Sequence, residues 1–214
     1  MRLVAFGCSF TYGVGLRDCF ILPDEPGLVP SKFSWPQLVA NELNMDCINM
    51  SRPGSSNKEI LNTLLNFKFN STDVVVIMWS FLERWCKIKN YTSIDRLTQT
   101  SEGNDFNNIL SQYDKVFTFE DMQLDFIYRA NFAKLYLDNK NLKNYHLSAN
   151  PPECCPKVMP VWNTVNFSNL SMCHIAVQHP PALDIANGNP HPGPGAHRIV
   201  AMGLCDEISN AHNK

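Results

Sequence analysis

The run LVAFGCSFTYGVG, Leu3 to Gly15, decides how the rest of the chain is read. Its first four residues are apolar without alternation, which suits a strand buried on both faces of a parallel sheet. Gly7 stops the strand and permits a tight turn that delivers Ser9 to the strand end. A hydroxyl there can meet a ligand while the following backbone N–H groups face an incoming carbonyl. The same position is also the ordinary place for a helix-capping serine. Two phosphate-binding patterns are excluded: no Lys follows a second glycine, and Gly13-Val14-Gly15 lacks the third glycine of a dinucleotide fingerprint. The GxSxG elbow is excluded as well, because Gly13 lies too far on.

Downstream of this run the pattern alternates between strands and helices. Ser34-Trp35-Pro36 opens a helix through about Leu43, with Pro36 in the first turn where its missing N–H costs nothing. Met45 to Met50 reads as a second strand. A turn at Ser51 to Ser56 precedes a helix from about Asn57 to Phe67, capped by Ser55 or Ser56. VVVIMW, Val74 to Trp79, is the strongest strand signal and is expected at the centre of the sheet. Asp125 to Leu137 predicts an amphipathic helix, Tyr145 to Ser148 a fourth strand, Cys173 to Gln178 a short last strand, and His197 to Asn210 a closing helix. Strands alternating with helices at these spacings predict an α/β fold with a doubly wound parallel sheet, which collects ligand-binding loops at the carboxyl ends of the strands. A single domain over residues 1–214 is expected, with a polar insertion at about 81–123.

Composition narrows the function. A net charge of -2 with no basic run argues against nucleic-acid binding through phosphate contacts. No apolar segment reaches the ~20 residues of a membrane span, and no signal peptide is visible, so a cytoplasmic protein is expected, virus-encoded origin included. The eight cysteines show no CxxC pair. Cys154, Cys155, Cys173, His174 and His179 match no standard zinc spacing, so neither a metal nor another cofactor is expected.

The far end of the chain supports Ser9. Asn187 to His197 is a Gly/Pro-rich loop that carries His191 and runs into the last helix. An imidazole held by a rigid loop opposite a strand-end serine is what a hydrolase base requires. His197, six residues further on, is the second choice for a base and reads more simply as part of the helix.

Taken in order, these pieces resemble the SGNH (GDSL-like) hydrolases. Gly7-Cys8-Ser9-Phe10-Thr11 is similar to the family's first block, whose serine is the nucleophile. NMSRPGSSN, Asn49 to Asn57, resembles the second block, and the resemblance implies that Gly54 lends a backbone N–H to an oxyanion hole. His191-Pro192 resembles the last block, in which the histidine is the base. There are departures. Cys8 stands where the family has Asp. The family's third-block Asn is missing after Trp79, which leaves Ser80 as a substitute donor, with Arg84 adding positive charge at the substrate pocket or pairing with Glu83. Asn57, just past Gly54 in the same loop, is a further oxyanion candidate. The Asp normally three residues before the histidine is absent. Asn189, Asp184 or a backbone carbonyl then orients His191.

The resemblance implies a flavodoxin-like, three-layer α/β fold and a serine hydrolase acting on an ester, with O-acyl groups of a carbohydrate as a candidate substrate, through Ser9, His191 and Asn189. The oxyanion hole comprises Ser9, Gly54, Ser80 and Asn57. Acyl transfer to another acceptor would use the same residues. The alternative is a non-catalytic binding or structural protein of this fold, such as a viral or envelope accessory protein.

Overall fold

The computed structural model describes residues 1–22, 25–82, 84–89, 93–97, 118–150, 164–178, 185–186 and 189–211. Its centre is a five-stranded, all-parallel sheet built from β1 (Arg2–Phe6), β4 (Asp46–Asn49), β5 (Val74–Trp79), β8 (Lys143–Ser148) and β9 (Phe167–Ser171), in the order β4-β1-β5-β8-β9. Numbered among themselves these strands run 2-1-3-4-5, the flavodoxin-like order of a doubly wound sheet. VVVIMW is central as expected, and all six of its residues are buried.

The period of two along each strand sorts the core into two layers. Leu3, Ala5, Val74, Val76 and Met78 pack under Trp35, Val39 and Ala40 of α2 (Trp35–Glu42) and Val200, Leu204 and Ile208 of α6 (Pro194–Asn210). Val4, Phe6, Val75, Ile77 and Trp79 pack under Ile60 and Leu64 of α3 (Asn57–Leu65) and Phe126, Ile127, Ala130 and Leu137 of α4 (Phe119–Asp138). The strands are covered on both faces, which is why they read as unbroken apolar runs. At the amino end of the sheet Arg2 holds Asp73 with two parallel bonds, Nε to Oδ1 at 2.8 Å and Nη2 to Oδ2 at 2.6 Å, tying β1 to β5.

Local signals set the helix ends. Pro36 sits in the first turn of α2 after Ser34, and Ser56, rather than Ser55, caps α3 by accepting the Glu59 N–H. Three expectations are corrected. The stretch Cys173 to Gln178 is not a strand: it lies in α5 (Met172–Gln178), and the last strand is the preceding β9. Met172, Ile175 and Ala176 recur at helical spacing and turn onto the α6 side of the core. α4 starts six residues before Asp125, at a reciprocal capping box between Thr118 and Asp121. α6 starts at Pro194 rather than His197, with proline in its first turn.

Within the span read as a polar insertion, β6 (Trp85–Lys89) and β7 (Ser93–Leu97) form an antiparallel hairpin, whereas residues 98–117 lie outside the described set. Two further hairpins matter below or border the site: β2 (Phe20–Leu22) with β3 (Glu25–Pro26), and β10 (Ile185–Ala186) with β11 (Asn189–Pro192). Among the described residues no helix is long and apolar enough to cross a membrane, and no group of three or more His, Cys, Asp or Glu is placed to hold a metal ion.

Candidate active site

In a sheet of this order the ligand crevice opens at the carboxyl ends of the strands on either side of the switch in direction, here β1 and β5. Ser9 follows β1 and Ser80 follows β5. The neighbouring Phe10 and Phe81 meet edge to face at 5.5 Å between ring centroids, which joins the two loops across the crevice.

Ser9 is the first residue of the four-residue helix α1 (Ser9–Tyr12). Intrahelical donation begins at Thr11, whose N–H reaches Cys8 O at 3.1 Å, so the Ser9 and Phe10 N–H groups precede the helical ladder. The turn exists because Gly7 lacks a Cβ: one added there would stand 2.0 Å from Thr11 Oγ1 and 3.1 Å from Met78 O. Gly13 closes the helix at φ 84°, in the left-handed region that favours glycine, and donates to Ser9 O. Ser9 itself is 3% exposed, and its Oγ has no hydrogen-bond partner among the described residues. A buried hydroxyl without a partner is uncommon and points to a group held ready for something else.

The second-block loop fastens α1. Asn49 Nδ2 donates to Thr11 O at 2.8 Å while its Oδ1 accepts the Ser51 N–H at 3.1 Å and the Ser51 hydroxyl. Arg52 N–H reaches Gly7 O at 3.3 Å, and Gly54 turns the chain at φ 75°. Asn49 is a positioning residue that sequence reasoning missed. Its only signal was an amide side chain at a strand end, in the same loop as Gly54.

Beyond β5, Asn57 and Ser80 form one unit. Asn57 Oδ1 accepts the Ser80 N–H at 2.7 Å, and Asn57 Nδ2 donates to Ser80 O at 3.1 Å. One amide hydrogen of Asn57 is thereby committed to the backbone. The Ser80 Oγ accepts from Arg84 Nη1 at 3.1 Å, which leaves the hydroxyl hydrogen to donate elsewhere. Arg84 also lies over the Phe81 ring at 4.9 Å and makes no ion pair among the described residues, Glu83 being outside that set.

His191 lies on β11, the strand that packs against α1, and its ring stands edge-on to Phe10 at 5.6 Å. Burial, and secondarily the Arg84 charge, push its imidazole down to about 4, so it is neutral and able to accept a proton at ordinary pH. The backbone of Asn189 pairs with Ala186 in the same hairpin, while its side chain and all of Asp184 lie outside the described set. His197 is wholly buried in α6, and its Nδ1 accepts the Trp35 N–H at 3.0 Å. Its place is structural. Cys154, Cys155 and His179 fall outside the described residues.

Three covered layers over a 2-1-3-4-5 parallel sheet, with a strand-end serine beside the switch point, define an SGNH-type α/β hydrolase. The chain belongs to the GDSL-like lipase/acylhydrolase family, whose model matches residues 3–181, and is accordingly an enzyme of the esterase or acylhydrolase kind. The matched span includes Ser9, Gly54, Asn57, Ser80 and Arg84 and stops short of His191. No curated protein sequence matches the chain.

Solved structures share the fold at low identity. TesA is 14% identical with a TM-score of 0.56, over 97% of this chain and 98% of that one. The acetyl xylan esterase Est2A from the rumen bacterium Butyrivibrio proteoclasticus is 11% identical with a TM-score of 0.59, over 99% of this chain and 64% of that one. A carbohydrate esterase family 2 enzyme with a carbohydrate binding domain, from Corynascus thermopiles (Myceliophthora fergusii), is 12% identical with a TM-score of 0.58, over 100% of this chain and 67% of that one.

Proposed function

We propose that the chain hydrolyses an ester through a Ser9–His191 centre, with O-acyl groups on a carbohydrate as the substrate class. Ser9 Oγ attacks the acyl carbonyl and its proton passes to His191. The tetrahedral intermediate then collapses, the alcohol leaves with that proton, and water repeats the sequence on the acyl-enzyme. The developing oxyanion is held by the backbone N–H groups of Ser9 and Gly54 and by the Ser80 hydroxyl, which Arg84 polarises. Asn57 contributes chiefly by fixing the Ser80 backbone, and Asn189 is the candidate orienter of His191.

The observation that carries this reading is the Ser9 hydroxyl: buried, without a hydrogen-bond partner among the described residues, at the start of α1, against the strand that presents a neutral imidazole. A helix-capping serine would have spent its oxygen on a backbone N–H, and none is bonded to it. The carbohydrate assignment draws on the likeness to the acetyl xylan and family 2 carbohydrate esterases. The chain spans only about two-thirds of their length.

A fluorophosphonate probe tests the centre. Wild type should label and Ser9→Ala should not, with hydrolysis of 4-nitrophenyl acetate lost in parallel. A wild type that neither labels nor cleaves short 4-nitrophenyl esters would leave a non-catalytic binding protein as the correct reading.

A further inference from the structure

Beside the proposed centre lies a second concavity that the hydrolytic steps do not use. It encloses about 310 Å³ and is lined by Leu16, Phe33, Leu38 and Ile185 together with Arg17 and Arg198. That volume is at the small end of ligand pockets, which run from ~300 to 1,000 Å³. Its walls continue from the site on both sides. Leu16 and Arg17 lie on the segment leaving α1, and Ile185 pairs with Pro192 in the hairpin that carries His191.

The electrostatics of this pocket are one-sided. The chain as a whole carries a formal charge of -2, yet no acidic residue lines the cavity among the described residues. Neither arginine makes an ion pair among the described residues. The nearest acid in sequence, Asp18, is committed elsewhere: its carboxylate accepts the Ser31 hydroxyl at 2.5 Å and the Lys32 N–H at 2.8 Å. Arg17 is nonetheless held in place, because its guanidinium stacks on the Phe33 ring at 3.8 Å. Stacking occupies the face of the group and leaves its in-plane N–H donors open. Arg198 lies in the second turn of α6, and the first turn of that helix carries no acid to pair with it. Two guanidinium groups without an ion-pair partner among the described residues, one of them pre-oriented, converge on an otherwise apolar cavity.

We infer that this pocket binds a carboxylate carried on a short apolar arm, and that, given the hydrolase reading above, the preferred ester bears such an arm. Guanidinium groups match carboxylates in a planar, bidentate way, and the apolar walls supply the remaining contact.

Two measurements test this. Calorimetry compares 4-phenylbutanoate with 4-phenylbutan-1-ol, which differ in charge and not in the apolar arm. Wild type should favour the acid by roughly 10- to 100-fold, the range of a charge-assisted contact. Arg17→Gln and Arg198→Gln should each reduce that preference, and the exposed-surface control Lys68→Gln should not. Kinetics then compares mono(4-nitrophenyl) adipate with 4-nitrophenyl hexanoate, and the ratio of their kcat/KM values should favour the adipate and collapse in the double arginine variant.

Equal binding of acid and alcohol, or a preference that survives loss of both arginines, would overturn the pocket. Equal, Ser9-dependent turnover of both esters, indifferent to the arginines, would overturn its substrate role and leave the hydrolase intact. Arginine-dependent binding with no Ser9-dependent turnover of either ester would instead overturn the hydrolase reading and the substrate assignment that rests on it.

Discussion

His197 accepts the backbone N–H of Trp35 on its Nδ1 at 3.0 Å, joining the first turns of two helices that are 162 residues apart in sequence. The bond fixes the ring proton on Nε2 and fastens α2 to α6 above β1. Replacement by alanine strands a buried N–H and opens a cavity. His197→Ala should therefore cost about 2–4 kcal/mol, read as a lower urea midpoint at unchanged m. An unchanged midpoint would show that the bond is not a structural one.

Acid should unfold the protein earlier than carboxylate titration alone predicts. Burial lowers His146 and His197 to about 3 each, and burial with the Arg84 charge lowers His191 to about 4. All three are neutral in the folded state at pH values where the unfolded chain, with histidines near 6.5, binds protons. Stability from these groups is complete above about pH 6.5 and is lost as pH falls toward 3–4, with a slope of up to about 1.4 kcal/mol per pH unit for each histidine. Urea unfolding at pH 7, 5.5 and 4.5 reads this directly. A flat profile across that window would contradict it.

On the proposed mechanism His191 also sets the acid limb of catalysis. If His191 is the base, kcat/KM should hold below the ordinary histidine range and fall only near pH 4. Arg84→Met removes the secondary cause and leaves burial, so the limb should move upward without reaching 6.5. A limb that stays put in the variant would separate Arg84 from His191.

Ser80 and Asn57 should fail in different ways. Ser80→Ala deletes the proposed side-chain donor and should lower kcat by about 10²–10³-fold with little change in KM. Asn57→Ala strands the Ser80 N–H and C=O in a buried setting and should cost about 2–4 kcal/mol of stability along with rate. A Ser80→Ala enzyme with wild-type kcat would remove the hydroxyl from the oxyanion hole.

Gly7→Ala tests the turn that makes α1. The added methyl would sit 2.0 Å from Thr11 Oγ1 and 2.7 Å from Thr11 Cβ, a contact that a short, β-branched side chain cannot yield to. Overpacking of this kind costs about 1–3 kcal/mol, and thermal denaturation together with fluorophosphonate labelling would show whether Ser9 moves with it.

The residues that announced the fold were those whose local chemistry agrees with the tertiary demand. VVVIMW is short, apolar and β-branched because it is covered on both faces, and Ser34-Trp35-Pro36 carries its own start signal. Cys173 to Gln178 misled because a short apolar run looks alike in either state. The helical spacing of Met172, Ile175 and Ala176 decides the matter only once α6 is there to receive that face. The placement of Ser9 at a strand end and of His191 just ahead of the last helix could be read from turn chemistry. Asn49, Arg17 and Arg198 could not, because their roles depend on bonds or on missing partners across the fold, and a linear pattern records neither.

The double bond between Asn57 and the main chain of Ser80 separates two properties that usually travel together. The path of the chain at position 80 is dictated from another helix, so the side chain there is interchangeable: a donor of different reach or acidity can be installed without re-laying the loop. On the proposed mechanism, that makes position 80 the place at which this scaffold is most readily tuned, by drift or by design, from one acyl chemistry to another.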